Sequence, residues 1–286
     1  MGTEHAHYVI VDAGGHRVWS RRGGAGTFYG DLLRGPDRLA AFVREQEHGH
    51  ALGWGDAVRW QAVAVLDVSR RLLLVHCSLE IRGPVWRTSV LEIRAWLGLL
   101  AARWPGWTVK WAARGLHEVM EHLGLGYDTV AGLDDPPAPL PLQWGQGPAE
   151  DDDLSVVADT LVAVRDTTGR LSFAGWWGTG LARVLLAGPA ALLSPQELAT
   201  PFAALEAVPW NGVHLDAAAR TLDWWSLDCS LPPSRPAERW PGWRLTCHQD
   251  AFEEVAALAA PELLLDLDGP DAALRRVTEW FGRPAR

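Results

Sequence analysis

Metal chemistry needs imidazole, thiolate or carboxylate groups spaced so that several reach one point. The stretch His117-Glu-Val-Met-Glu-His122 resembles the helix of zinc proteases, in which two histidines stand at i and i+4. Here they are five apart, about 500° of helical rotation, so the rings diverge by roughly 140°. Glu118 and His122 share a face but make only two ligands, and solvated helix residues are the simpler reading. The pairs His5-x-His7 and His48-x-His50 would put both rings on one side of a strand. The first stands at a frayed chain start and the second in a glycine-containing loop, and neither has a downstream partner set. No metal and no cofactor is expected.

Nucleophilic chemistry finds no better footing. His76-Cys77 and Cys247-His248 are adjacent on predicted strands, so thiol and imidazole point to opposite faces. No GxSxG elbow occurs, and no residue is assigned a catalytic role. The three cysteines, Cys77, Cys229 and Cys247, are odd in number and lack a CxxC spacing, which reads as reduced, buried structural thiols. Asp67 and Asp216 stand at equivalent hairpin turns. A shared carboxylate site is conceivable there, but aspartate is also a common first turn residue bonding its own backbone, which is the favoured reading.

Anion binding has one candidate. Arg21-Arg-Gly-Gly-Ala-Gly26 follows a predicted strand and precedes a helix, so the N–H groups of Gly23 and Gly24, with Arg17, Arg21 and Arg22, could cradle an anion. It matches neither the P-loop nor the dinucleotide glycine spacing. The remaining anomaly is tryptophan, with seventeen residues against six phenylalanines. Adjacent Trp224-Trp225 on a strand must face opposite ways, so one is expected outside a one-sided core. Together with Trp176 and Trp177 they form the candidate partner-binding surface.

These residues must be positioned by a chain of 286 residues, 48% apolar, with a mean hydropathy of -0.04, enough to bury a core. Lys110 is the single lysine beside twenty-five arginines, the mark of a GC-rich, bacterial-type genome. Residues 1–143 carry 15 basic and 15 acidic groups, whereas residues 144–286 carry 11 and 20, so the whole net charge of -9 lies in the second half. That balance argues against nucleic acid, whose binders show a basic footprint, and suits a cationic partner. The start lacks a secretory signal pattern and the longest apolar run is too short to span a membrane, so a cytoplasmic protein is expected.

The chain repeats itself. Residues from Tyr8 align without gaps on residues from Leu161 at an offset of 153, matching Val9 with Val162, Val11 with Val164, and Gly35-Pro36 with Gly188-Pro189. A second block sets Leu66-Asp67 on Leu215-Asp216, and a third sets Arg103-Trp-Pro-Gly-Trp107 on Arg239-Trp-Pro-Gly-Trp243. Three collinear blocks are the pattern of an internal duplication. The seam is the Pro-rich and acidic stretch from 131 to 153, placing a first repeat at 1–145 and a second, with a C-terminal helix at 271–281, at 146–286.

Each repeat reads as β-hairpin, helix, β-hairpin, helix, strand, helix. The first carries an extra amphipathic helix over 88–103 where the second has only a Pro-broken segment. WPGW reads as a tight turn with glycine at its positive-φ position. The expected fold is α+β: tandem duplication of that unit, mainly antiparallel sheets with helices on one face, in a pseudo-twofold internal dimer. The expected function is a non-catalytic protein-binding module, an inhibitor or immunity-type protein neutralising a basic partner. The alternatives are an enzyme with its site in the inter-repeat cleft or at loop 17–26, and carbohydrate binding through exposed tryptophan.

Overall fold

The computed structural model describes residues 5–48, 54–77, 90–133, 160–176, 180–193, 208–229, 231–232, 234–259 and 269–282. The chain forms two compact units, one of residues 1–135 with 269–286 and the other of residues 136–268. In the first unit β1 (His5–Asp12) and β2 (Gly15–Arg22) make a hairpin around Ala13-Gly14. Helices α1 (Phe28–Leu32) and α2 (Pro36–Arg44) follow, then a two-residue strand β3 (Glu47–His48) against β2. A second hairpin joins β4 (Ala62–Asp67) to β5 (Leu72–Cys77). Helix α3 (Val90–Arg103), strand β6 (Thr108–Trp111) and helix α4 (Gly115–Leu123) complete the run. The sheet order is β3-β2-β1-β4-β5-β6.

The second unit contains β7 (Thr160–Arg165), β8 (Leu171–Trp176), α5 (Gly180–Ala187), α6 (Pro189–Leu193), β9 (Asn211–Asp216) and β10 (Thr221–Ser226). Then come α7 (Ser234–Arg239), β11 (Arg244–Cys247) and α8 (Phe252–Ala259). Its sheet runs β11-β10-β9-β7-β8, the order of the first sheet without β3. The pairing senses also agree: β1–β4 and β5–β6 are parallel, as are β7–β9 and β10–β11, and every hairpin is antiparallel. Helix α7 forms where a Pro-broken segment was expected, because Pro236 falls in its first turn, where a missing N–H costs nothing.

Two expectations need correction. The sheets are mixed rather than mainly antiparallel, since each parallel pair is joined by a crossover carrying helix. Helices also cover both faces. On one face of the first sheet Tyr8 meets Phe28 of α1 and Phe42 of α2; on the other, Val9, Val65 and Leu74 cluster with Leu116 and Val119 of α4. Strands β4 and β10 are accordingly buried at all six positions, which a one-sided sheet cannot do.

The two units correspond most closely around WPGW. Gly106 and Gly242 have φ of 76° and 78°, and the Trp107 and Trp243 N–H groups donate to Trp104 and Trp240 carbonyls at 3.1 and 3.2 Å, the pattern of a type II turn. The Trp104 indole donates to the Leu32 carbonyl at 2.8 Å, and Trp240 donates to that of Leu185 at 2.6 Å. Last-turn carbonyls lack intrahelical donors, so each buried indole satisfies the end of α1 or α5. Immediately beyond, Gly35 and Gly188 bring the chain so close to the Arg103 and Arg239 carbonyls that an added Cβ would lie 3.0 and 3.1 Å from them. The tryptophan pairs match as well, with ring centroids 5.1 and 5.2 Å apart and planes at 79° and 78°.

The first strand corrects the alignment by one residue. Val68 N–H donates to Val11 O as Ala217 N–H does to Arg165 O, both at 2.9 Å, so Val11 corresponds to Arg165 rather than Val164. Val162 and Val164 accordingly lie with α5, on the face that Tyr8 occupies in the first unit. The C-terminal helix also changes owner. Helix α9 (Pro270–Phe281) packs on α3 of the first unit, burying Ala273 and Val277, with Arg276 Nε bonded to Glu92 Oε1 at 2.5 Å. The apolar stripe of α9 is thus satisfied by α3, a helix with no counterpart of its length among the described residues of the second unit.

Candidate functional site

Tryptophan is the first candidate to be displaced. Trp224 and Trp225 are 8% and 2% exposed, because the two-sided cover accepts both. Trp224 joins the α5-side core. Trp225 packs against Gly212, where a Cβ would stand 1.8 Å from its ring, and donates to Pro209 O at 3.0 Å. Both are packing residues of their unit. Trp177 lies outside the described residues, and Trp176 is described only as the backbone position that ends β8. No tryptophan whose side chain is described is exposed.

Strand alternation divides the predicted anion set. Arg17 and Arg21 lie on one face of β2, each bonded to a carboxylate: Arg17 to Asp12 at 3.0 Å and Arg21 to Asp31 at 2.6 Å. Asp31, 4% exposed, also takes Thr27 at 2.9 Å and Arg34 at 3.1 Å, a network that fastens α1 to β2. Gly24 N–H closes a turn on Arg21 O at 3.2 Å, and Gly23 has φ of 68°. Arg22 lies on the opposite face, directly across from His5.

That face holds a group the sequence reading passed over. His5 and His7 sit on β1 proper, not on a frayed end, and Ser20 Oγ lies 3.4 Å from His5 Nδ1 and 3.4 Å from His7 Nε2. The His5 N–H donates to Gln61 Oε1 at 3.1 Å. His7 is stacked on Trp60 with centroids 3.8 Å apart, and Trp60 on Trp54 at 5.0 Å. Burial, with the neighbouring His5, pushes the His7 pKa down to about 3, so it is neutral at physiological pH, and its Nδ1 has no partner. Burial also lowers His5, assisted by the positive charges of Arg59 and Arg22.

The second unit has a different polar cluster, on the α8 side of its sheet. His214 faces Asp223 across β9 and β10, is 4% exposed, and has no partner on either ring nitrogen. Burial holds its pKa below the ordinary histidine value, with Arg165 adding to the effect. His248 lies between two carboxylates, Nε2 at 3.0 Å from Asp223 Oδ1 and Nδ1 at 2.7 Å from Glu254 Oε2. Burial opposes its charge, but the bonds to Asp223 and Glu254 outweigh it and raise its pKa. Val65, Leu74 and Ala112 occupy the corresponding places in the first unit, all within an apolar core. The fold therefore does not require polarity there.

The remaining candidates resolve individually. Asp67 and Asp216 each accept from their own hairpin turn, from Arg70 N–H at 2.9 Å and Ala219 N–H at 2.8 Å, the turn role favoured by sequence. Asp67 additionally meets His122 Nε2 at 3.0 Å. His122 is therefore tied to the sheet rather than solvated, and His117 is fully buried with its ring edge-on to Tyr127. Cys77 and Cys229 are buried, but Cys247 is exposed, contrary to expectation, because it falls on the short edge strand β11. Among the described residues no group of three His, Cys, Asp or Glu side chains is placed to hold a metal ion. No helix among them is long and apolar enough to cross a membrane.

No protein-family model matches the chain, and comparison with curated proteins and with solved structures returns no significant match.

Proposed function

We propose that the chain is a duplicated α+β binding protein whose second unit receives a cationic protein partner, in the manner of an inhibitor or immunity protein. Duplication is supported by the shared strand order, the shared pairing senses and the matching indole-to-carbonyl bonds at Trp104 and Trp240. One observation carries the binding role. Residues 136–268 hold 18 acidic groups against 7 arginines, whereas the rest of the chain holds 17 acidic and 19 basic groups. The same strand order stands in the first unit without that excess, so the acidity serves something other than the fold. Self-repulsion makes such an excess costly, and a basic partner turns it into attraction and faster encounter.

The start of α8 shows the contrast locally. Lys110–Glu118 and Arg114–Glu121 pairs flank α4, whereas Thr246 and Asp250 stand at the corresponding positions beside α8. Three cysteines, odd in number and without a CxxC spacing, favour a reducing compartment, and a cytoplasmic location belongs to the same proposal. Carbohydrate binding draws no support from the tryptophans whose side chains are described, all buried or half-buried.

The test is affinity capture from the producing cells with the full chain and with a D250N/E238Q/E253Q variant. The expected outcome is a basic protein retained by the parent, released by salt, and lost by the variant. Equal capture by both proteins refutes the charge argument.

A further inference from the structure

The first unit gathers hydrogen-bond donors on one sheet face, with one acidic position, Glu47 of β3, paired in register with Ser20. Direct cross-strand neighbours stand about 5 Å apart at Cβ, so the pairs His5–Arg22 and His7–Ser20 form a contiguous polar block. Parallel pairing of Ala6 with Ala62 brings the start of β4 alongside, and with it Gln61 and the 3₁₀ turn Ala57–Arg59. Gln61 Oε1 is held by the His5 N–H, which leaves its amide NH2 free to donate. Arg17, Arg21 and Arg34 are all spent on Asp12 or Asp31. Arg22 and Arg59, both exposed, form no ion pair with a described carboxylate.

We infer that His5, Ser20, Arg22, Arg59 and Gln61 form a binding site for a phosphate group, free or as a phosphomonoester. Two guanidinium groups supply the forked donors that a tetrahedral oxyanion accepts in pairs, with the Ser20 hydroxyl and the His5 imidazole as shorter-range donors. Arg22 and Arg59 pair with no described carboxylate, and a bound dianion supplies their counter-charge. The fold does not demand the arrangement. By strand correspondence His7, Ser20, Arg59 and Gln61 are replaced in the second unit by Leu161, Gly175, Val208 and Trp210, on the same frame.

The site binds rather than cleaves. His7 lies within reach of the Ser20 hydroxyl, but a buried imidazole stacked on Trp60 and held neutral is a weak base. Its other nitrogen, Nδ1, lacks the carboxylate or carbonyl that orients the base of a nucleophile pair. His7 instead lends rigidity, fixing Ser20 from beneath while the Trp60–Trp54 stack closes the floor.

The test uses the full chain, titrated with sodium phosphate against sodium chloride at equal ionic strength and followed by the histidine ring resonances and by calorimetry. Saturable binding is expected with phosphate and not with chloride, together with an upward shift in the His5 titration. Phosphate affinity should fall at least tenfold in the R22Q/R59Q variant and stay unchanged in R38Q, which alters an exposed arginine of α2. A phosphomonoester in place of inorganic phosphate separates the two sources by whichever binds more tightly. Chloride matching phosphate, equal binding by R22Q/R59Q, or an equal loss in R38Q overturns the site. Thermal unfolding of each variant shows that the comparison is between folded proteins.

Discussion

Replacing Trp104 by phenylalanine tests the account of WPGW most directly. The change keeps an aromatic ring in a fully buried position and deletes one group, the indole N–H that reaches Leu32 O at 2.8 Å. The Leu32 carbonyl keeps only the long 3.5 Å bond from the Gly35 N–H, and losing the short bond to a buried carbonyl costs about 1–3 kcal/mol. The smaller ring adds a cavity cost on the order of 1 kcal/mol. A total loss of about 2–4 kcal/mol follows, and the same figure is expected for Trp240→Phe, because its bond to Leu185 O is as short and as buried. Trp107→Phe is the control, since that half-buried ring only stands edge-on to Trp104, and it should lose less than about 1 kcal/mol. Urea unfolding gives the magnitudes, and hydrogen exchange places them. Faster exchange should be confined to the end of α1 in one variant and the end of α5 in the other. A Trp104→Phe protein within about 0.5 kcal/mol of the parent, or one with α1 exchange unaltered, refutes the capping role.

Three further outcomes follow from the same geometry. His7 is held near pKa 3 in the folded chain but titrates near 6.5 when unfolded, so the unfolded state binds the proton first. Its contribution is complete above pH 6.5 and declines by about 1.4 kcal/mol per unit as pH falls toward 3; His7→Phe, which keeps the stack on Trp60, should flatten that slope in urea melts. His248 has the opposite sign: its raised pKa gives stability present below the ordinary histidine value and lost as pH rises through the folded value, and His248→Gln should remove that component. Gly212→Ala sets a methyl against the Trp225 ring and should cost about 1–3 kcal/mol by overpacking, read by thermal melting with near-ultraviolet dichroism reporting Trp225.

Hairpins were the most legible part of the chain. Ala13-Gly14 and the Asp67 and Asp216 turns carry their own local chemistry, and the strands at 62–67 and 72–77 stand where alternation and turn residues place them. Parallel pairing was illegible, because the contact of β1 with β4 depends on a crossover rather than on any nearby residue. From that one omission followed the one-sided sheet and the expectation of an exposed Trp224 or Trp225. The one-residue slip at β1 has a similar origin: a gapless match rewards Val on Val, while the longer second turn, Asp166–Arg170, is silent in composition. The polar group around Ser20 escaped notice because its members come from three segments and only His5-x-His7 shows a spacing. Arg22 was in the predicted anion set, and alternation along β2 alone could have parted it from Arg17 and Arg21.

The ownership of α9 bears on how the chain comes into being on the ribosome. The first unit to begin synthesis is the last to be finished, because α3 must wait for residues 270–281 before Glu92 meets Arg276. Residues 136–268 can meanwhile complete their own sheet from a continuous segment. Emergence order and completion order are therefore reversed. A chain cut short after residue 268 would leave a sound second unit beside a first unit with a buried-type glutamate and an apolar helix face laid open, a form suited to recognition by chaperones or proteases.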